Sequence, residues 1–155
     1  MEFSLVGILI FLVSFVPQIL LTIFPPKIKM IKKKNKQIEI IDFICRCGLW
    51  FFSIFNLFSY GYRFINNVTQ IIWVIGFFLI SFLIFFLYLR YFMKGRCEND
   101  LFDRIIIPYP IGFLECLLFL FSGAILLNYY VMFFSIVYFF THMYLGIKRW
   151  NYGKN

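Results

Sequence analysis

Charged residues are scarce in this sequence: they account for 14% of the 155 residues, whereas hydrophobic residues account for 63%. A soluble globular domain has about a quarter charged and about half apolar residues, so this composition excludes an ordinary soluble fold. A membrane-spanning helix needs about 20 apolar residues, and several spans leave only short loops in a chain of this length. We therefore expect an all-α integral membrane protein that forms a single domain over residues 1–155.

The residues that intramembrane hydrolases need are also missing. The chain has one histidine, His142, and one aspartate within an apolar segment, Asp42. Such enzymes use an aspartate pair, an H-E-x-x-H helix or a serine beside a base. Only Glu115 and His142 would be available as an acid and a base. No catalytic residue and no cofactor are therefore expected.

The four cysteines do not form a predicted metal site. Cys45 and Cys47 are two positions apart on a helix and point to nearly opposite sides, Cys116 is placed near the midplane of the membrane, and Cys97 is placed in a cytoplasmic loop. A structural zinc site needs ligands that converge, so metal binding is not expected.

Alanine occurs once, at Ala124, whereas phenylalanine occurs 24 times and tyrosine 10 times. This bias, together with the many isoleucines, lysines and asparagines, is typical of an AT-rich genome. We interpret the aromatic rings as lipid-facing and gap-filling residues rather than as a site.

Five apolar segments each have the length of a membrane span. Backbone polar groups must be paired in hydrocarbon and the segments do not alternate polar with apolar residues, so all five are expected to be α-helices. Asn128 alone separates the last two, and a merged helix would be more than about 60 Å long, so a tight hairpin is expected at residues 123–130. The expected helices cover residues 3–24, 40–60, 69–92, 105–127 and 129–147.

The first segment begins with Glu2 and lacks a basic start and a small-residue cleavage site, so we expect it to remain in the mature protein. Basic residues then predict the orientation. Fourteen of the 15 lysines and arginines fall on one side of the five predicted spans, with Arg63 alone on the other. Cationic loops stay in the cytoplasm, so the N-terminus is expected outside and the C-terminus inside, in a bacterial plasma membrane.

Five polar residues are predicted at membrane depth, where an ionisable residue is a functional hypothesis by default. Counting from the cytoplasmic ends of the helices gives depths of about 3 Å to about 9 Å for four of them and about 15 Å for Glu115. Asp42 and Arg46 are spaced to pair on one helix face. We expect a polar cavity open to the cytoplasm, although Glu115 alone, protonated and bonded across a helix contact, would be equally consistent with the sequence. The pocket candidates are Glu115, His142, Arg46, Gln18 and Asp42.

The segment PPKIKMIKKKNKQIE, residues 25–39, holds six lysines beside the first span. Such a segment either sets the topology alone or also binds anionic lipid headgroups, at about 1 kcal/mol per charge. The headgroup candidates are Lys32, Lys33, Lys34 and Lys36. The segment lacks the aromatic residues of nucleic-acid sites, so no nucleic acid is expected. Expected partners are membrane lipids, anionic ones included, and a second copy of the chain or a larger membrane complex.

Two resemblances follow from local motifs. SFVPQI, residues 14–19, resembles the Pro-Gln motif of the PQ-loop and SWEET-type transporters, but it is two residues wide and has no second copy. NKQIEIIDFICRCGLWFFSIFN and IPYPIGFLECLLFLFSG resemble small, uncharacterised multi-pass membrane proteins of low-GC Gram-positive bacteria, with Asp42 and Cys45 in place of a Glu and a Gly. That resemblance implies the architecture and no reaction. The residues that carry it are Asn35, Lys36, Asp42, Arg46, Pro110 and His142.

Three functions remain open from the sequence. The first is binding or transport of a small solute or lipid headgroup through the cytoplasm-facing pocket, with proton coupling through Glu115. The second is a structural or accessory membrane subunit whose polar residues only hold helices together. The third is an intramembrane lipid-modifying transferase, with its co-substrate near His142 and Arg46.

Overall fold

The computed structural model describes residues 2–27, 36–56, 62–96 and 110–152. In this part of the chain the fold is all-α, with a single two-residue antiparallel pairing between β1 (Glu2–Phe3) and β2 (Phe55–Asn56). The five helices are α1 (Leu5–Ile23), α2 (Lys36–Ile54), α3 (Asn67–Met93), α4 (Pro110–Ile125) and α5 (Tyr129–Tyr152).

Three helices are long and apolar enough to cross a membrane: Leu5–Ile23, Asn67–Met93 and the Tyr129–Lys148 part of α5. The α2 helix has 19 residues but carries charged side chains in its first half. The described part of α4 has 16 residues, about 24 Å of helix, which is less than the hydrocarbon thickness of about 30 Å. The prediction of a helical protein with membrane-spanning segments is thus supported at three of the five expected spans.

Helix α2 covers a different range from the predicted 40–60. It begins at Lys36, and Glu39 then lies in the first turn, where the helix dipole favours negative charge. It ends at Ile54 because the chain turns to pair β2 with β1, and the backbone N–H of Ser4 donates to the Ile54 carbonyl at 2.9 Å. This pairing brings the start of α1 against the end of α2.

The break expected at residues 123–130 separates α4 from α5. Leu127 adopts a left-handed conformation with φ of 54°, and the N–H of Asn128 donates to the Gly123 carbonyl at 2.9 Å. The Asn128 side chain then accepts from the N–H of Val131 at 3.1 Å and donates to the Phe52 carbonyl at 3.3 Å. Asn128 therefore caps α5 and ties the hairpin to α2.

The helices form an open ring. In it α1 packs on α2, α2 on α5, α5 on α4 and α4 on α3, whereas α3 and α1 touch at few positions. At one end the Phe24 and Phe92 rings meet edge to face at 6.1 Å, and the N–H of Lys27 donates to the Arg96 carbonyl at 3.0 Å. The gap in the ring is therefore bridged at this end.

We call the end where α1 and α3 finish and α2 and α4 begin the basic end. Arg63 lies at the opposite end, where its N–H donates to the Leu126 carbonyl at 2.9 Å. Large apolar side chains on the outer surface of α3, such as Phe78 and Phe82, are exposed, which is the pattern of a helix that faces lipid rather than water. The basic residues at the basic end whose side chains the structure describes are Lys27, Lys36, Arg90, Lys94, Arg96 and Lys148.

Candidate functional site

Polar side chains from all five helices meet inside the ring, toward the basic end. We call this group the polar cluster. It contains Gln18 of α1, Asp42 and Arg46 of α2, Tyr88 of α3, Glu115 of α4, and Tyr138 and His142 of α5. The helices are antiparallel to their neighbours in the ring, so residues far apart in sequence reach one level of the bundle.

The closest pair in the cluster joins α2 to α5. The Nδ1 atom of His142 lies 3.0 Å from Oδ1 of Asp42, and the two residues are 5% and 8% exposed. The second oxygen, Oδ2 of Asp42, accepts from Nη2 of Arg46 at 3.5 Å. Asp42 thus faces an imidazole and a guanidinium at once, an arrangement in which a buried carboxylate is compensated.

Arg46 extends the cluster to α1 and α5. Its Nη1 donates to Oε1 of Gln18 at 3.1 Å, and its guanidinium carbon lies 5.5 Å from the centre of the Tyr138 ring. The Tyr138 ring also stacks on the His142 imidazole, with centroids 4.6 Å apart. A guanidinium over an aromatic face gains a cation–π interaction that is stronger where water is excluded. Tyr138 therefore contacts both the guanidinium of Arg46 and the imidazole of His142.

Glu115 belongs to the same cluster and does not face the lipid. It is 3% exposed, and Oε1 accepts from the Tyr88 hydroxyl at 3.2 Å. Glu115 also lies within electrostatic range of His142, Arg46 and Asp42. The Glu115 side chain therefore lies inside the ring, as a member of the same cluster.

The charges of the cluster do not balance without an additional proton. With Asp42, Glu115 and Arg46 ionised and His142 neutral, the cluster carries one net negative charge. An unbalanced charge in a buried site is costly, and buried charges are normally paired. One proton on Glu115 or on the Asp42–His142 pair makes the cluster neutral. The compensating proton therefore has two candidate positions within the cluster.

Two members of the cluster were not predicted from the sequence. Tyr138 is four residues before His142, on the same helix face, and this spacing is a signal that was available. Tyr88 had no distinguishing signal, because the chain has 10 tyrosines and the position of its partner on α4 depends on helix packing. Glu115 and His142, the acid and base available from the sequence, both belong to the cluster, in which His142 contacts Asp42 and Glu115 accepts from Tyr88.

The lysine-rich segment is described only in part. Lys36 is the exposed first residue of α2, whereas Lys32, Lys33 and Lys34 lie outside the described residues. Cys45 and Cys116 are buried and Cys47 is exposed, all three as free thiols. Within the described ranges no three histidine, cysteine, aspartate or glutamate side chains are grouped to hold a metal ion.

A cavity of about 460 Å³ lies between α1 and α3, at the gap in the ring. We call it the crevice. It is almost entirely apolar, and two of its lining residues carry polar side-chain atoms, Ser81 and Tyr88. The Ser81 hydroxyl is buried and has no hydrogen-bond partner in the described part of the chain. The crevice differs in character from the polar cavity expected from sequence, and Tyr88 links it to the polar cluster.

Comparisons of this chain with models of protein families, with curated proteins and with solved structures found no match. The two resemblances drawn from local motifs therefore remain expectations, and the function is argued from the geometry of the chain alone.

Proposed function

We propose that this chain is a plasma-membrane protein of five spans that binds a small solute or a lipid headgroup at the polar cluster and exchanges a proton there. The observation that carries the proposal is the meeting of side chains from five helices at one level, centred on the 3.0 Å contact between Asp42 and His142. Ionisable residues at membrane depth are expensive and mark binding sites or proton pathways.

The proposed orientation has the basic end in the cytoplasm. Six described basic residues lie at that end and Arg63 lies at the other, in agreement with the rule that cationic loops are retained inside. On this orientation the polar cluster lies in the cytoplasmic half of the membrane. The N-terminus is then outside, and α2 and α4 complete the five spans.

The proposed mechanism follows from the charge balance of the cluster. Arg46 presents a planar set of donors that suits a carboxylate or a phosphate. An anionic group that binds beside Arg46 adds negative charge, and uptake of a further proton by His142 or Glu115 restores neutrality. Release of the ligand reverses both changes. Ligand and proton would therefore bind together and leave together, as linkage requires.

The decisive experiment uses the fact that His142 is the sole histidine of the chain. Protein labelled with ¹⁵N-histidine in phosphatidylcholine nanodiscs gives one set of imidazole signals, which report both the protonation state and the Asp42 contact. The probes are inorganic phosphate, acetate and phosphatidylglycerol. We expect at least one of them to shift these signals in the wild type, and we expect Glu115→Gln to change the pH at which they titrate.

The matched variants are Arg46→Gln, which removes the guanidinium of the cluster, and Arg63→Gln, which removes one at the opposite end. Loss of the probe response in Arg46→Gln but not in Arg63→Gln supports the proposal. If no probe shifts the signals and Glu115→Gln leaves their titration unchanged, the cluster neither binds anionic groups nor shares a proton, and the proposal is wrong.

A second candidate is an accessory subunit whose cluster only holds helices together. It is favoured by the hydrogen bonds that Gln18, Asp42, Tyr88 and Glu115 make within the cluster, since interhelical bonds of this kind stabilise membrane bundles. This candidate predicts that Glu115→Gln leaves function and assembly intact. It also predicts a single protonation state of His142 that no probe changes.

A further inference from the structure

The crevice between α1 and α3 has the volume of a small-molecule binding site, and its lining is apolar. Its volume of about 460 Å³ falls within the range of about 300–1,000 Å³ that small-molecule pockets occupy. Leu12, Val16 and Leu20 line it from α1, and Ile84, Leu89 and Phe92 line it from α3. Transfer from water to such a lining is favourable for an alkyl chain and not for a polar solute.

The crevice is reached from the side of the bundle. Leu12, Val16, Phe85 and Leu89 line it and are also exposed on the outer surface of the helices. At the basic end the Phe24–Phe92 ring contact bridges α1 and α3, and the backbone bond from Lys27 to Arg96 lies just beyond it. A ligand would therefore enter between the two helices from the membrane rather than from the water.

Cationic side chains lie beyond the basic end of the crevice. Lys27 follows α1, Arg90 lies in the last turn of α3, and Lys94 and Arg96 follow α3. They come from the same two chain segments that line the crevice. A negative group held there would be about one helical turn from Phe92 and Leu89, because each residue of helix advances by about 1.5 Å. The apolar lining and the charges therefore match the two parts of an anionic amphiphile.

We infer that an anionic phospholipid occupies the crevice, with one acyl chain between α1 and α3 and its headgroup beside Lys27, Lys94 and Arg96. A zwitterionic lipid offers the same chain but no net charge to the cationic residues, so the site selects by headgroup. Juxtamembrane lysines and arginines attract anionic headgroups in this way.

The site is connected to the polar cluster through one residue. Tyr88 lines the crevice with its ring and donates its hydroxyl to Glu115 at 3.2 Å. An acyl chain in the crevice therefore packs against the side chain that holds Glu115 in place. The inference rests on the membrane insertion included in the proposed function, and it names an anionic phospholipid as a ligand acting next to the cluster.

The test is photo-crosslinking in vesicles of phosphatidylcholine that contain the full chain and a minor fraction of a phospholipid with a diazirine on one acyl chain. The photolipid has either a phosphatidylglycerol or a phosphatidylcholine headgroup, and labelled peptides are located by mass spectrometry. We expect the phosphatidylglycerol probe to label crevice residues of α1 and α3 above the level of Phe78 and Phe82, which face lipid outside the crevice.

Two sets of variants separate the acyl-chain site from the headgroup site. Val16→Trp fills the crevice from an exposed position, and Ile19→Trp adds the same bulk to an exposed position of α1 that does not line it. Lys27→Gln and Lys94→Gln each remove a charge at the basic end, and Arg63→Gln removes one at the other. We expect Val16→Trp to abolish crevice labelling, and each lysine variant to weaken it about fivefold, with both controls unchanged.

Labelling of the crevice at the level of the outer surface, or equal labelling by the two headgroups, overturns the inference. So does a crevice covered by a second copy, which would show protein–protein crosslinks lost in Val16→Trp and no lipid labelling. These results are independent of the histidine signals. If the crevice is not labelled but the His142 signals respond to the probes, the lipid site alone is wrong. If the crevice is labelled but the His142 signals do not respond, the proposed function of the cluster alone is wrong.

Discussion

At the scale of single residues, the Asp42–His142 contact is the interaction on which the cluster depends. It joins α2 to α5 at 3.0 Å and also fixes which oxygen of Asp42 faces Arg46. A buried carboxylate that loses one partner retains its desolvation cost, so removing both side chains should cost less than the sum of the two single removals.

This non-additivity of the two removals gives a double-mutant prediction. Asp42→Asn and His142→Gln are each expected to lower the free energy of unfolding by about 1–3 kcal/mol. Their combination should cost less than the sum, with a coupling of about 0.6–1.7 kcal/mol, the range of interhelical polar pairs in membranes. Reversible unfolding in detergent micelles measures all four proteins of the cycle. Additive costs would show that the contact contributes nothing.

Tyr62, outside the helices, makes a different polar contact. Its hydroxyl lies 3.1 Å from that of Ser53, a fully buried residue near the end of α2. Burial raises the pKa of the Tyr62 phenol above its ordinary value of 10.0, and the Ser53 hydrogen bond partly opposes this. Because the folded state resists ionisation of the phenol, its contribution to stability is present below about pH 10 and is lost as the pH rises further.

Tyr62→Phe should therefore have two effects. Near pH 7 it should lower the free energy of unfolding by about 1–2 kcal/mol, because the Ser53 hydroxyl loses its partner. Above pH 10 the variant should lose stability less steeply than the wild type. Thermal unfolding at several pH values in detergent measures both effects. Parallel pH curves for the two proteins would contradict the assigned burial of this phenol.

At the scale of helices, the contact between α1 and α2 depends on the absence of a side chain. A Cβ atom added at Gly7 would overlap the backbone carbonyl of Ser53, so the two helices approach through the glycine. Small residues allow such close contacts in membrane bundles. The β1–β2 pairing and the hydrogen bond from Ser4 to Ile54 lie directly beside this point.

The sign of the stability change caused by Gly7→Ala shows whether packing or helix propensity dominates at this position. Propensity alone favours alanine by about 0.8–1 kcal/mol, whereas overpacking costs about 1–3 kcal/mol or more when backbone must move. We expect net destabilisation and weaker docking of α1, measured by unfolding in detergent and by protease access to α1. Leu9→Ala, at an exposed position of the same helix, is the control. A stabilised Gly7→Ala protein would contradict the close approach.

The helical elements were largely predictable, and their ends were less so. The α4–α5 break followed from a length argument, because a merged helix exceeds the membrane thickness. The early start and end of α2 did not follow from hydropathy, because Lys36 begins a helix that is polar in its first turns and β2 ends it. Pairing of Phe55–Asn56 with Glu2–Phe3 depends on α1 returning beside α2, which a local pattern does not contain.

At the scale of the whole molecule, the distribution of basic residues is the strongest asymmetry. If Arg63 lies outside and the basic end inside, reporter fusions should give opposite results at two places. A C-terminal fusion should make green fluorescent protein fluorescent and alkaline phosphatase inactive, and a phosphatase fusion directly after Arg63 should be active. The reversed pattern would invert the proposed orientation and place the polar cluster in the other leaflet.

Five members of the cluster were predictable, whereas its contacts between helices were not. Hydrocarbon penalises lone polar groups, so Gln18, Asp42, Arg46, Glu115 and His142 could be selected from the sequence by depth alone. Which of them touch is decided by the rotation of each helix about its axis. A single sequence does not give that rotation, so it left the partners of Glu115 and His142 open, and Tyr88 and Tyr138 were missed.

The spread of the cluster over five helices has a consequence for biosynthesis. Asp42 and Arg46 leave the ribosome long before His142 and Tyr138, which belong to the helix that follows the other four in the chain. If the chain inserts as proposed, α2 enters the membrane before the imidazole that faces its carboxylate has been made. The Asp42–His142 contact then forms only when the last of the five helices joins the bundle.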